Sequence, residues 1–103
     1  MIHYLSSPIT SDTREKELEN LERLALKKIE LTAQGHKCFN PGELETAGKT
    51  WEYYLAKDLV WIYENKPTLY MMKNWELSRG CRLEHEMALQ LNLTITYELL
   101  IDS

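Results

Sequence analysis

Cysteine is scarce in this 103-residue sequence, and the two it has, Cys38 and Cys81, stand far apart. They match neither the paired spacing of a zinc site nor the crowded pattern of a disulfide framework. A reducing, cytoplasmic setting is therefore expected. No apolar run approaches the roughly 18–20 residues that a membrane-spanning helix needs. No basic stretch leads into an apolar one at the start of the chain, so no signal peptide is expected. Positive charge is short as well: 12 Lys and Arg against 16 Asp and Glu leave a formal net charge of −4. A general nucleic-acid binder needs a basic face to displace counterions, and a membrane-surface helix needs a basic amphipathic stripe. Neither pattern is present. His3, His36 and His85 do not fall at metal-ligand spacing, so no metal is assigned and no cofactor is expected. There is no internal repeat and no low-complexity tract. What remains is an ordinary globular composition, 44% hydrophobic and 27% charged. It is enough for one domain, residues 1–103, with one modest core.

The hydrophobic pattern alternates between two periods. Ile2 to Ser6 reads as a strand, broken by Ser7-Pro8-Ile9-Thr10. Asp12 with Glu15 three residues on has the form of a capping box. A long helix should follow, with Leu18, Leu21, Ala25, Ile29 and Thr32 on one face, Leu24 beside them, and Gly35 ending it. His36 to Phe39 is a second strand, stopped by Asn40-Pro41-Gly42. A second helix runs from about Thr50 to Tyr63, with Trp51, Tyr54, Leu55, Leu59 and Ile62 as its apolar stripe. Thr68 to Met72 is a third strand, Asn74 to Gly80 a loop, Cys81 to Leu91 a third helix, and Leu93 to Tyr97 a last strand. The third helix should bury Leu83, Met87, Ala88 and Leu91. This β-α-β-α-β-α-β order predicts a parallel sheet with right-handed helical crossovers. Ligands of such sheets sit beyond the carboxyl ends of the strands, where strand order reverses. That points to the loop after strand one, the turn around Asn40, and the segment from Lys73 to Gly80. Little chain follows Tyr97, so a neighbouring subunit rather than a second domain is expected to close over the site.

Several residues could carry chemistry. Asp58 lies four residues after Tyr54 and four before Ile62, which puts a carboxylate on the apolar stripe of the second helix. Such a group is paired, protonated or functional; a bond to a backbone amide or to an Arg is the structural alternative. Glu84 falls near the start of the third helix, where the helix dipole favours its ionised form. An ionised carboxylate at a ligand cleft can act as a nucleophile, although acids are common in first turns for the dipole alone. The stretch from Asn74 through Trp75 and Ser78-Arg79-Gly80-Cys81-Arg82 brings a hydroxyl, a glycine, two guanidinium groups and free amides to one helix start. That is a workable anion site; a plain Ser78 N-cap with solvated arginines accounts for it equally well. Ser6, Ser7 and Thr10 could contact a sugar or phosphate, or simply form a turn. Tyr4 and Trp75 could stack on a base, or pack in the core or at its rim. Cys81 at a helix start could have a lowered pKa.

Taken together, these residues resemble the nucleoside 2-deoxyribosyltransferase superfamily. Tyr4-Leu5-Ser6-Ser7-Pro8 resembles its opening strand and loop, and Gly35-His36 followed by Asn40-Pro41 its entry into strand two. Asp58-Leu59 resembles its helix-two aspartate, and Ser78-Arg79-Gly80-Cys81-Arg82-Leu83-Glu84 its signature loop; Ala88 also fits. The resemblance covers nearly the whole chain, in order, and is nearest to short members frequent in phage genomes; for a phage protein the setting would be the host cytoplasm. It implies an α/β, flavodoxin-like three-layer sandwich with a parallel sheet of about four strands. It implies cleavage or transfer at the N-glycosidic bond of a 2′-deoxynucleoside or deoxynucleotide. Glu84 would attack C1′ and hold a covalent glycosyl intermediate, with Asp58 positioning the sugar or handling a proton; the chemistry parallels retaining glycosidases. Tyr4, Ser6, Ser7, Pro8, Asn40, Trp75, Ser78, Arg79, Gly80 and Arg82 would line the substrate site. Transferases carry aspartate where Ser78 stands; a serine there resembles the branch that hydrolyses deoxynucleoside 5′-monophosphates, where it contacts phosphate. Ser7 and Glu86 stand where the family usually has glycine, and Glu64-Asn65-Lys66-Pro67 lacks an aspartate often found before strand three.

Two other readings share this sequence. One is a nucleotide binder that kept the pocket and lost turnover, sequestering its ligand. The other is an interaction module in which Trp51, Trp61 and Trp75 serve a partner surface. Three tryptophans in so small a domain also lead us to expect a homodimer or larger homo-oligomer.

Overall fold

The computed structural model describes residues 2–9, 11–41 and 48–98. The elements run β1 (Ile2–Ser6), α1 (Arg14–Ala33), β2 (Lys37–Phe39), α2 (Trp51–Asn65), β3 (Thr68–Met71), a short 3₁₀ turn (Trp75–Leu77), α3 (Arg79–Gln90) and β4 (Ile95–Tyr97). The four strands form one parallel sheet in the order β2-β1-β3-β4. Tyr4 stands opposite Phe39 on one side and Leu69 on the other, and Leu69 opposite Ile95. The chain leaves β1 toward one edge and later crosses to the other, so the order reverses at β1 and β3.

Alternation along β1 sorts its residues between two cores. Leu5 packs with Leu24 and Leu31 of α1 and with Met72. Tyr4 faces the other way, toward Ile62 of α2, Cys81 and Ala88 of α3, and Leu69 and Met71 of β3. His3 is buried with neither ring nitrogen hydrogen-bonded, and its ring meets His36 edge-on at 4.6 Å. Burial first, then the neighbouring His36, holds its pKa below the ordinary 6.5.

Helix ends follow local chemistry, and several differ from the sequence expectation. Thr13 caps α1, accepting from the Lys16 amide at 3.2 Å, where the capping box placed Asp12. A cap must reach an amide three residues on; Asp12, one residue too early, is exposed and pairs with Lys16 at 3.7 Å. Gly35 does end α1, with φ +93°. Its amide bonds to Thr32 O and that of His36 to Leu31 O, a Schellman closure. His36 therefore belongs to the helix exit, and β2 starts at Lys37. Thr50 caps α2 from outside, accepting from the Tyr53 amide. The expected loop through Gly80 is shorter, because Ser78 caps α3 and the helix starts at Arg79. Leu93 donates to Ala88 O, so β4 begins only at Ile95.

The expected face of α1 is corrected most. Leu24 is fully buried and Leu31 nearly so, whereas Leu18 is 52% exposed, Ile29 66%, and Ala25 and Thr32 lie in solvent. The helix carries two apolar stripes, and the shorter one meets the sheet. On α3, Ala88 is buried, while Leu83 is exposed. Truncating Leu24 to Ala should cost about 2–5 kcal/mol of unfolding free energy, and Ile29→Ala less than about 0.5 kcal/mol. Urea titrations of the two variants test the assignment; equal losses would reverse it.

Candidate functional site

A cleft of about 820 Å³ opens beyond the carboxyl ends of the strands, at the reversal of strand order. Ser7, Pro8 and Ile9 leave β1 along it, and Pro41 follows β2. From α2 come Trp51, Tyr54, Leu55 and Asp58, spaced one turn apart, so they share one helix face. Asn74, Leu77, the first turn of α3 from Ser78 to Cys81, and Glu84 form the opposite side. Lys16, Glu19, Asn20 and Arg23 add a polar wall from α1. Asp58 and Glu84 thus line one cleft, both of them buried.

Glu84 is held by β1. Ser6 Oγ donates to Glu84 Oε1 at 2.7 Å, and the Tyr4 hydroxyl donates to Glu84 Oε2. Tyr4 and Ser6 lie two residues apart, so the pleat points both hydroxyls to the same face. Tyr4 itself has no exposed surface and stacks on Phe39, with ring centroids 5.6 Å apart. Its phenol stays protonated well above the usual pKa of 10. Burial is the main cause; the charges of Glu84 and Asp58 and hydrogen bonds with both add to it. Tyr4 therefore acts as a fixed donor beneath the cleft and offers no ring to a ligand.

The other sequence candidates divide. Ser7, Pro8, Ser78, Arg79 and Gly80 line the cleft; Asn40, next to Pro41 in sequence, is buried and does not line it. Trp75 and Arg82 do not line it. Trp75 stacks on the His85 ring at 4.3 Å, and His85 Nε2 lies 2.7 Å from Tyr97 Oη. Arg82 donates to Glu76 O at 2.8 Å. Both brace the 3₁₀ turn from behind. Thr10 lies outside the described residues. Cys81 is buried, and burial with the Glu84 charge pushes its thiol up to about 11, the reverse of the lowering a helix start alone would give. The polar wall of α1 and the aromatic Trp51 escaped the sequence reading. Trp51 belongs to the apolar stripe by spacing, yet it stands at the mouth with the Arg79 guanidinium 5.2 Å from its ring. Spacing could have found it, since Trp51 lies seven residues before Asp58. Among the described residues no three His, Cys, Asp or Glu side chains come together as a metal site.

These buried acids predict an alkaline limit to stability. The Cys81 thiol titrates at about 11 in the fold against 9.0 in an open chain, and the Tyr4 phenol well above 10.0. The folded state keeps protons that the unfolded state releases, so the contribution of these two groups to stability is complete below pH 9 and falls above it. Each group contributes a slope of about 1.4 kcal/mol per pH unit once its unfolded form ionises. Urea midpoints from pH 8 to 11 should fall in this way. Cys81→Ala should flatten the part from pH 9, and Tyr4→Phe the part above 10. A profile unchanged by both substitutions would contradict the assignment.

A family model, the domain of unknown function DUF4406, matches residues 1–97. No curated protein matches the chain. A solved structure of a 2-deoxyribosyltransferase from the psychrotolerant bacterium Bacillus psychrosaccharolyticus is similar to it. That enzyme is described as a biocatalyst for the synthesis of antiviral and antitumoral nucleosides. The TM-score is 0.70 at 19% sequence identity, over 99% of this chain and 77% of that one. The likeness is one of fold: a parallel four-stranded α/β sheet with three helices, shared with a 2-deoxyribosyltransferase. Through residues 1–97, the chain belongs to the DUF4406 family.

Proposed function

We propose that the cleft binds a 2′-deoxynucleoside or its 5′-monophosphate, and that Glu84 cleaves the N-glycosidic bond. The supporting observation is the setting of Glu84. A carboxylate buried at a cleft, with each oxygen held by a hydroxyl from one strand, is aimed and fixed before any ligand arrives. A Glu84 oxygen bonds to C1′ as the C1′–N bond breaks, and the base leaves with the bonding electron pair and takes up a proton. Water, or a second base, then displaces Glu84 from C1′. Asp58, across the same cleft, orients the sugar or passes the proton. At the start of α3, Ser78 offers its hydroxyl and Gly80 its amide to a phosphate, and Arg79 adds charge at the mouth. A Cβ at Gly80 would meet Trp51, Leu55 and Ser78 only at 3.7–3.9 Å, ordinary contact. Packing does not require glycine there, so the missing side chain serves the open side of the cleft. We read residues 1–103 as one such domain, working in the cytoplasm as a homo-oligomer. The three tryptophans divide: Trp51 lines the cleft, Trp75 stacks on His85, and Trp61 stacks on Phe39 beside the outer face of α2.

Incubation with each common deoxynucleoside and its monophosphate, followed by chromatography for free base, tests the reading. The wild type should release base from at least one. Glu84→Gln should lower that rate by several powers of ten while holding affinity, since each tenfold is about 1.4 kcal/mol of barrier. Arg79→Ala should weaken the monophosphate by about 1.5–3 kcal/mol and spare the nucleoside. Tight binding without base release would overturn the enzyme reading in favour of a sequestering binder.

A further inference from the structure

Helix α2 has a second face that the cleft does not use. Asp58 and Ile62 point inward. On the opposite side Tyr53, Val60 and Tyr63 are 41%, 54% and 58% exposed, with Ala56, Lys57 and Glu64 beside them in solvent. This outer stripe borders an apolar groove of about 540 Å³, floored by Phe39 of the edge strand β2 and by Trp61. The two floor rings stack with centroids 4.2 Å apart. A groove of this size takes several side chains rather than one, which fits a helix as occupant.

We infer that this face joins two copies of the chain, with the two α2 helices antiparallel about a two-fold axis level with Val60 and Trp61. The charges select this occupant and this direction. Lys57 and Glu64 lie seven residues apart, about 10 Å along the axis, one on each side of Val60. Neither makes an ion pair among the described residues; the Lys57 ammonium rests 5.3 Å from the Tyr53 ring. A two-fold axis midway between them sets Lys57 of each copy against Glu64 of the other, twice, around a Val60 centre. Parallel helices would instead set Lys57 against Lys57 and Glu64 against Glu64. A face that is self-complementary under one two-fold operation is what an isologous dimer requires. The apolar centre supplies the binding, while the rim charges set orientation. This inference does not depend on the proposed chemistry of the cleft.

Sedimentation or light scattering at micromolar protein tests it, with circular dichroism to confirm that each variant is folded. The wild type should be a dimer, and Val60→Lys a folded monomer. Lys57→Glu alone, or Glu64→Lys alone, brings like charges together twice and should raise the dimer Kd by about tenfold or more. The double swap Lys57→Glu with Glu64→Lys should restore the dimer. An equimolar mixture of the two single variants should also dimerise, as a heterodimer whose pairs are both complementary. A wild type that stays monomeric at tens of micromolar, or a dimer indifferent to all of these changes, would overturn the inference.

Discussion

The pair of hydroxyls that β1 lends to Glu84 sets the arrangement of the whole molecule. A buried carboxylate without donors costs several kcal/mol, so Glu84 can sit where it does only if donors come with it. Tyr4 and Ser6 supply them from alternate positions of one strand. That strand must be internal, since both residues are fully buried, and it is: β1 lies between β2 and β3. Tyr4 must in turn remain a phenol, and the dry contact with Phe39 and Trp61 ensures that it does. The geometry of the cleft is thus rooted in the core, and residues that do not line the cleft fix the Glu84 carboxylate.

Helix α3 must then start at the right height. Ser78 caps it, Arg82 ties its first turn to the carbonyl of Glu76, and Trp75 is clamped on His85. These contacts explain why Trp75 and Arg82 sit among cleft residues in sequence yet outside the cleft in space. Helical rotation turns Arg82 away from Glu84 although they are only two residues apart, while Gly80, one turn before Glu84, shares its side. The stretch from Asn74 to Arg82 therefore contains two layers, one that faces the cleft and one that holds the first in place.

The sequence made the strands, the parallel order and the two carboxylates readable for a shared reason: each depends on local period and on a polar group out of place in an apolar pattern. Asp58 interrupts a stripe, and Glu84 follows a cap, a glycine and a helix start at fixed offsets. What stayed hidden depends on competition between alternatives of similar local merit. Helix α1 offers Leu18 and Ile29 on one face and Leu24 and Leu31 on another, and only the sheet decides between them. Asp12 and Thr13 are both good caps, and the amide reached decides. The α1 wall of the cleft was invisible because Lys16, Asn20 and Arg23 look like any solvated helix surface. Arg23 and Lys27 both approach Glu98, just past β4, a contact no local pattern could announce.

Helix α2 shows how much can hang on one element. Its inner face carries Asp58 and the aromatic rim of Trp51 and Tyr54; its outer face carries Val60, Tyr53 and Tyr63. A helix apolar on both sides is unusual on a monomer surface, because each exposed apolar group forgoes about 25 cal/mol per Å² that burial would return. It ends at Lys66 in the left-handed region, φ 48°, whose amide donates a hydrogen bond to Ile62 O, before Pro67. The helix is thus fixed at its carboxyl end and capped at its amino end by Thr50. One helix thus carries a cleft wall on its inner side and an exposed apolar face on its outer side, so any shift of α2 is felt at both.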